Sequence, residues 1–175
     1  IAMKKIILIA YFSRAGENYM RGKIVNLEHG NTEIAAGTIA RLTGAPVFRI
    51  VPMNEYPEKY KECTEAAQKE LMDRAAPQIR EYPDNDDYDT LILGYPCWWG
   101  TMPMPVWTFL RNTDLSGKKI LPFCTNEGSG LGSSIDDLKR LCPGAEIRSG
   151  LSILGADVKD SEPAIREWLH AENII

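Results

Sequence analysis

Five stretches of this chain are apolar without alternation, and that feature constrains its fold more than any other. They are KIILIAYF (5–12), PVFRIV (46–51), TLILGY (90–95), KILPFC (119–124) and EIRSGLSIL (146–154). A strand with one wet face alternates apolar and polar residues. A strand apolar on both sides is covered on both faces, as in a parallel sheet between helices. The intervening segments carry helical spacing: Ala35, Ile39 and Leu42; Tyr60, Cys63, Ala67 and Leu71; Val106, Phe109 and Leu110; Ile135, Leu138 and Leu141; Ile165, Trp168 and Leu169. The expected fold class is therefore α/β, a doubly wound five-stranded parallel sheet with helices on both faces.

Punctuation agrees with this reading. Asn31–Thr32 and Ser161 are expected to cap helix starts, Pro57, Pro105 and Pro163 sit near helix starts, and Gly44 follows the first helix where a C′ glycine belongs. The acidic PDNDDYD (83–89) is expected to be a solvated turn before the third strand. No repeat or linker divides the chain, so one domain is expected over 3–175. Met3 is the expected native start, with Ile1 and Ala2 a remnant ahead of it. A net charge of −4 supplies no basic face for phosphates, which argues against nucleic acid as a partner. The apolar runs are about a strand long, far short of the roughly 20 residues of a membrane span, so the cytoplasm is the expected location. The four cysteines include no CxxC pair, which argues against zinc and against a thioredoxin-like dithiol.

In such a sheet, ligands bind beyond the carboxyl ends of the strands. The loops there are 13–31, 95–105 and 124–134. In the first, Ser13, Ala15, Gly16, Asn18, Asn31 and Thr32 combine small residues with donors near a helix start, an arrangement suited to a phosphate. Arg14 faces either that phosphate or water. The second loop, GYPCWWGTMPMP (94–105), sets Pro96, Cys97, Trp98, Trp99, Gly100 and Met102 at the rim. Adjacent residues rarely face the same way, so one tryptophan is expected in the core and the other over something flat. The third loop, CTNEGSGLGSS (124–134), brings Thr125, Asn126, Glu127, Gly128, Ser129 and Gly130, with glycines that let backbone groups approach a ligand closely.

Other phosphate chemistries do not fit. There is no GxxxxGK[ST], the glycines of 128–134 are out of frame for GxGxxG, and no Cys–Arg pair forms a phosphatase cradle. A phosphate site, an aromatic shelf and a glycine rim together describe a mononucleotide with a large flat head, and FMN is the natural fit. At these residues the sequence resembles the flavodoxin-like family: YFSRAGEN…GNTE is similar to its phosphate loop, and GYPCWWGTMPMPVWTFL and PFCTNEGSGLGSS to its two flavin-flanking loops.

The resemblance implies the strand order 2-1-3-4-5, FMN as cofactor, and the residues just named as its contacts. The phosphate motif is split by an insertion, YMRGKIVNLEHG (19–30), expected to form a flap near the phosphate or ribityl side. Which of Glu17, Asn18 and Asn31 touches the ligand stays open. Ala15 stands where the family has Thr, a loss of about 1 kcal/mol for one neutral hydrogen bond. Glu127 is either close to the ring or a solvent-facing carboxylate.

Cys97 and Cys124 are expected to lie close together, as buried structural thiols more readily than as a redox pair. Neither His29 nor His170 has a catalytic partner, and no catalytic residue or metal site is expected. The leading function is an electron carrier working between protein redox partners, a reductase and an acceptor. The alternative is an NAD(P)H-dependent quinone or nitro reductase of the same fold, and a third possibility is an interaction domain with an empty pocket.

Overall fold

The first apolar run becomes strand β1, Ile7–Tyr11, in the computed structural model, which describes residues 5–175. The expected start at Met3 lies outside the described residues. β1 is flanked by two longer parallel strands in succession, β5 (Thr90–Pro96) and β6 (Lys119–Asn126), with Ile9 opposite Ile92 and Ile92 opposite Leu121. On its other side lies the short β4, Val47–Arg49. The far edge is one strand position in two pieces, β7 (Glu146–Ile147) and β8 (Leu151–Leu154), both parallel to β6. Lys119 faces Glu146 while Phe123 faces Leu151, so the edge carries one extra residue at the break, as a bulge does. Counting only the strand positions of this sheet, the order is the expected 2-1-3-4-5.

Successive residues of each strand feed opposite layers. Leu8, Ala10, Leu91, Leu93 and Ile120 pack with Val106, Phe109 and Leu138 from helices α3 (Met104–Arg111) and α4 (Ser134–Leu141). Ile9, Ile92 and Phe123 pack with Ala35 and Ile39 of α1 (Asn31–Thr43) and Ile165 and Leu169 of α5 (Glu162–Ala171). Each of the Leu, Ile, Val and Phe side chains among them contributes about 1.5–3 kcal/mol by leaving water. The remaining helix, α2, spans Tyr60–Met72. Among the described residues no helix is long and apolar enough to cross a membrane.

Several local expectations change. Gly44 does close α1, at φ +70°. The α1 N-cap, however, is Gly30, and Asn31 and Thr32 already belong to the helix. Ser161 stands at the start of α5, but its hydroxyl donates to the Val158 carbonyl at 2.6 Å instead of capping. The acidic turn is mostly exposed, yet Tyr88 within it is buried, with Lys118 Nζ 4.5 Å from its ring centroid.

The interrupted first loop forms a separate antiparallel hairpin, β2 (Gly16–Met20) and β3 (Lys23–Leu27). It begins three residues before the expected insertion. Its turn is Arg21–Gly22, both at positive φ (51° and 79°), the two-residue geometry whose twist suits a hairpin.

Candidate functional site

Beyond the carboxyl ends of β1, β5 and β6 lies a cavity of about 540 Å³. One part of its wall is built by the first loop and the start of α1. Ser13, Arg14, Asn18, Asn31 and Thr32 line it. The Ser13 hydroxyl accepts the Glu33 amide at 3.1 Å, which locks the loop to the first turn of the helix. A Cβ on Gly30 would stand 2.2 Å from Ser13 Oγ and 2.7 Å from the Arg14 carbonyl, so only glycine permits this approach. Gly30 offers no side-chain cap, so apart from the Glu33 amide taken by Ser13 the helix start leaves the Asn31 and Thr32 amides and the positive end of its dipole at the cavity. Thr32 shares a 2.7 Å hydroxyl–hydroxyl bond with Thr125, tying the first loop to the third.

Arg14 borders the cavity, but its guanidinium is spent on carbonyls: Glu17, Pro57 at 2.8 Å and Glu58 at 2.5 Å. It clasps the first loop to the segment that enters α2. Of the three residues left open by the sequence, Asn18 and Asn31 reach the cavity and Glu17 does not. The Glu17 carboxylate accepts the Tyr60 amide at 2.8 Å and pairs with Lys59 at 3.3 Å. The Tyr60 N–H holds its carboxyl below the usual range. Ala15 and Gly16 are off the cavity wall, and Gly16, at φ +83°, turns the chain into the hairpin.

The second loop lines the cavity with Pro96, Cys97, Trp98 and Trp99. Trp98 and Thr101 exchange backbone hydrogen bonds (2.8 and 3.2 Å) around Trp99–Gly100, both at positive φ (54° and 80°). This tight turn sends the two tryptophans apart. Trp98 packs edge-on against Phe12 and Tyr56, centroids 5.1 and 4.9 Å away. Trp99 is 51% exposed, and its indole N–H donates to the Thr64 carbonyl at 2.9 Å. Trp98 thus packs against the core while still bordering the cavity, and Trp99 stands at the rim. Met102 is a correction: it is 1% exposed, packed in the core, because the chain has already turned inward toward α3.

The third loop contributes Thr125, Glu127 and Ser129 to the lining. Asn126 shapes it from beneath, its Oδ1 accepting the Gly128 and Gly130 amides at 2.9 and 3.1 Å. These two glycines and Gly100 form the rim without lining the cavity. The second and third loops are bolted together: the Gly100 carbonyl accepts the Ser133 amide at 2.7 Å, and the buried Asp137 carboxylate accepts the Thr101 hydroxyl at 2.5 Å.

Two elements of the site escaped sequence reasoning. Tyr60, Cys63, Thr64 and Ala67 of α2 form a whole wall, although their spacing suggested only a core stripe. Tyr19 of the hairpin also lines the cavity and stacks on Tyr60, centroids 6.1 Å apart and planes at 27°. The hairpin tip reaches the opposite side: the Arg21 amide donates to Glu127 at 3.3 Å and its guanidinium pairs with Asp157 at 2.8 Å. The expected flap is therefore a strap across the mouth. The polar Thr64 inside the α2 stripe was the available signal for the wall. No residue pattern signalled the strap.

Among the described residues no group of His, Cys, Asp and Glu could hold a metal ion. The arrangement suits a ligand with an anionic tail and a planar head.

Comparison with known proteins agrees. The family described as flavodoxin matches residues 6–172. Among solved structures, the chain is similar to a protein from Bacteroides eggerthii described as a flavoprotein, with 28% identity, TM-score 0.78, and coverage of 96% of this chain and 98% of that one. A flavoprotein in complex with FMN from Lactobacillus acidophilus shares the fold at 18% identity and TM-score 0.65, covering 90% of this chain and 98% of its own. Oxidised flavodoxin 2 from Bacillus cereus shares it at 22% identity and TM-score 0.51, over 95% and 99% of the two chains. No curated protein matches the chain in sequence. With the sheet order, the three converging loops and a match over nearly its whole length, this chain belongs to the flavodoxin family.

Proposed function

We propose that the chain binds FMN in this cavity and carries electrons between protein partners, a reductase and an acceptor. The observation that carries the reading is the convergence of the three loops on one cavity. Its lining joins polar groups and the start of α1 to the aromatic rings of Trp99 and Tyr60. The residues fit the group. Ser13, Asn31, Thr32 and the Asn31 and Thr32 amides would hold the phosphate, as helix starts hold anions. Asn18 would border it, with its side-chain N–H groups on the Arg14 and Gly16 carbonyls. Trp99, Tyr60 and the 127–130 loop would border the ring system. FMN would supply the electron chemistry, taking up or releasing one or two electrons at its ring.

The protein's own part is binding, orientation and exclusion of water. The strap from Tyr19 to Arg21 covers the mouth, and the Asn126 side chain fixes the Gly128 and Gly130 amides of the loop that would border the ring. Glu127, held toward the Arg21 amide, places a carboxylate at the rim. A negative group there disfavours extra negative charge on a bound ring.

Titration of apoprotein with FMN, read by flavin fluorescence, tests the reading. Quenching that saturates at one equivalent is expected, and no uptake at micromolar FMN overturns it. Anaerobic NADPH added to the loaded protein then separates roles. A carrier stays yellow until a reductase is added. Rapid bleaching by NADPH alone assigns the NAD(P)H-dependent quinone or nitro reductase instead.

A further inference from the structure

The apolar run PVFRIV carries a single charge, Arg49, and β4 ends on it. In the parallel register Arg49 lies opposite Tyr11, the last residue of β1, and so stands beside the chain just before it enters Ser13. The Arg49 side chain reaches forward to that loop. Its Nη2 donates to the Ser13 carbonyl at 3.3 Å, and its Nη1 pairs with the Glu33 carboxylate at 3.5 Å. The Glu33 amide in turn donates to the Ser13 hydroxyl at 3.1 Å. Contacts thus run in a closed circuit through β4, the first loop and α1, from the Ser13 carbonyl to Arg49, to Glu33 and back to the Ser13 hydroxyl. The guanidinium also stands 5.9 Å from the Tyr11 ring centroid, and the exposed His29 approaches the Glu33 carboxylate at 3.6 Å.

This circuit decides what Ser13 shows to the cavity. Ser13 lines the cavity, while Arg49 is off its wall. The Ser13 hydroxyl already accepts the Glu33 amide, so its own proton is left to donate to an anion. The Ser13 carbonyl, an acceptor that would repel an anion, is taken up by the guanidinium. The Glu33 carboxylate sits in the first turn of α1, where it competes with a bound phosphate for the positive end of the helix dipole. Arg49 offsets that charge. A guanidinium suits the position, because its planar fork serves two acceptors at once and an ammonium is a single point charge.

We propose that Arg49 is a positioning residue for the anion-binding wall of the cavity: by bridging the Ser13 carbonyl and the Glu33 carboxylate, it turns the Ser13 hydroxyl to the phosphate and cancels the charge of Glu33. Arg49 acts only through these two partners. The role rests on the reading of the cavity as an FMN site and concerns the phosphate alone, since Trp99 and Tyr60 belong to other walls. Both partners are partly exposed, so the effect on affinity is modest.

The test compares FMN with riboflavin, which lacks only the phosphate, by fluorescence titration of the whole apoprotein at low salt. Arg49→Met is expected to weaken FMN about fivefold and to leave riboflavin within about twofold. Arg49→Lys keeps the charge and loses the fork, and is expected to stay at least about threefold weaker for FMN than wild type. In a Glu33→Gln background the circuit is already open, so adding Arg49→Met is expected to cost no more than about twofold. An unchanged FMN affinity in Arg49→Met, an equal loss for both flavins, full recovery in Arg49→Lys, or an undiminished loss in the Glu33→Gln background overturns the role. Should Arg49→Met fold poorly, Arg49→Lys carries the same comparison of the two flavins. If wild type takes up no FMN, the cofactor reading falls, and inorganic phosphate then decides Arg49. Against chloride of equal ionic strength, phosphate is expected to raise the thermal midpoint of wild type at least twice as much as that of Arg49→Lys, about a twofold contrast. Equal protection of the two proteins, or of neither, overturns the role.

Discussion

The central strands and the β2–β3 hairpin are encoded in opposite ways. Every residue of β5 but its last is buried, as is every residue of β6 but its first, and both strands are specified by what they hide. The hairpin buries no residue fully. It is specified by turn chemistry at Arg21–Gly22 and by contacts it borrows: Glu17 on the Tyr60 amide, Tyr19 on the Tyr60 ring, Arg21 on Asp157. The sheet thus carries stability and the hairpin shapes the mouth of the site. A region can be indispensable to one and marginal to the other.

Experiments that separate these contributions begin with the sheet. Phe123→Ala removes a ring packed against Trp168 in the layer under α1 and α5, and should cost about 4 kcal/mol in urea unfolding. A loss below about 1 kcal/mol would mean the core repacks and that the sheet is less decisive than claimed. Excising the hairpin by joining Ala15 to Glu28, the residues that flank the Gly16–Leu27 pair, should lower stability by only about 1 kcal/mol. It should also weaken FMN binding about tenfold, or about 1.4 kcal/mol, in the fluorescence titration. If the excised chain unfolds instead, the two regions are not separable. Tyr19→Ala is a finer cut, with about 0.5–1 kcal/mol expected from loss of the Tyr60 stack, read in the same unfolding assay.

The smallest effect is at Glu17. Its folded carboxyl titrates below the ordinary 4.5 because the Tyr60 amide binds the carboxylate. A group lowered on folding stabilises above its unfolded pKa, and that contribution fades as pH falls through the lower folded value. The urea midpoint of wild type should therefore slightly exceed that of Glu17→Gln above pH 4.5 and converge with it in more acidic buffer. An unchanged difference down to pH 3 would rule out Glu17 as the link between hairpin and α2.

What could be read in advance follows the same division. The strand positions were visible because KIILIAYF and TLILGY are apolar on both faces, which leaves little choice but a covered parallel sheet. The divergence of Trp98 and Trp99 was visible as well, since neighbours cannot share a direction. The α2 wall was hidden: Tyr60, Cys63 and Ala67 are as apolar as a core stripe, and the sequence does not say whether a helix faces a core or a cavity. The hairpin was hidden because a partly wet pair of strands needs no apolar run. Arg14 misled for a related reason: its charge suggests an anion, while its partners are carbonyls from a segment more than forty residues away.

The break between β7 and β8 has a consequence of its own. At one border of the sheet the last strand is split by an extra residue, and at the other β4 is three residues long. Neither border presents a long, straight row of unpaired amides and carbonyls on which a further strand could be laid. Ribbon growth from copy to copy is thereby hindered at both borders of this sheet.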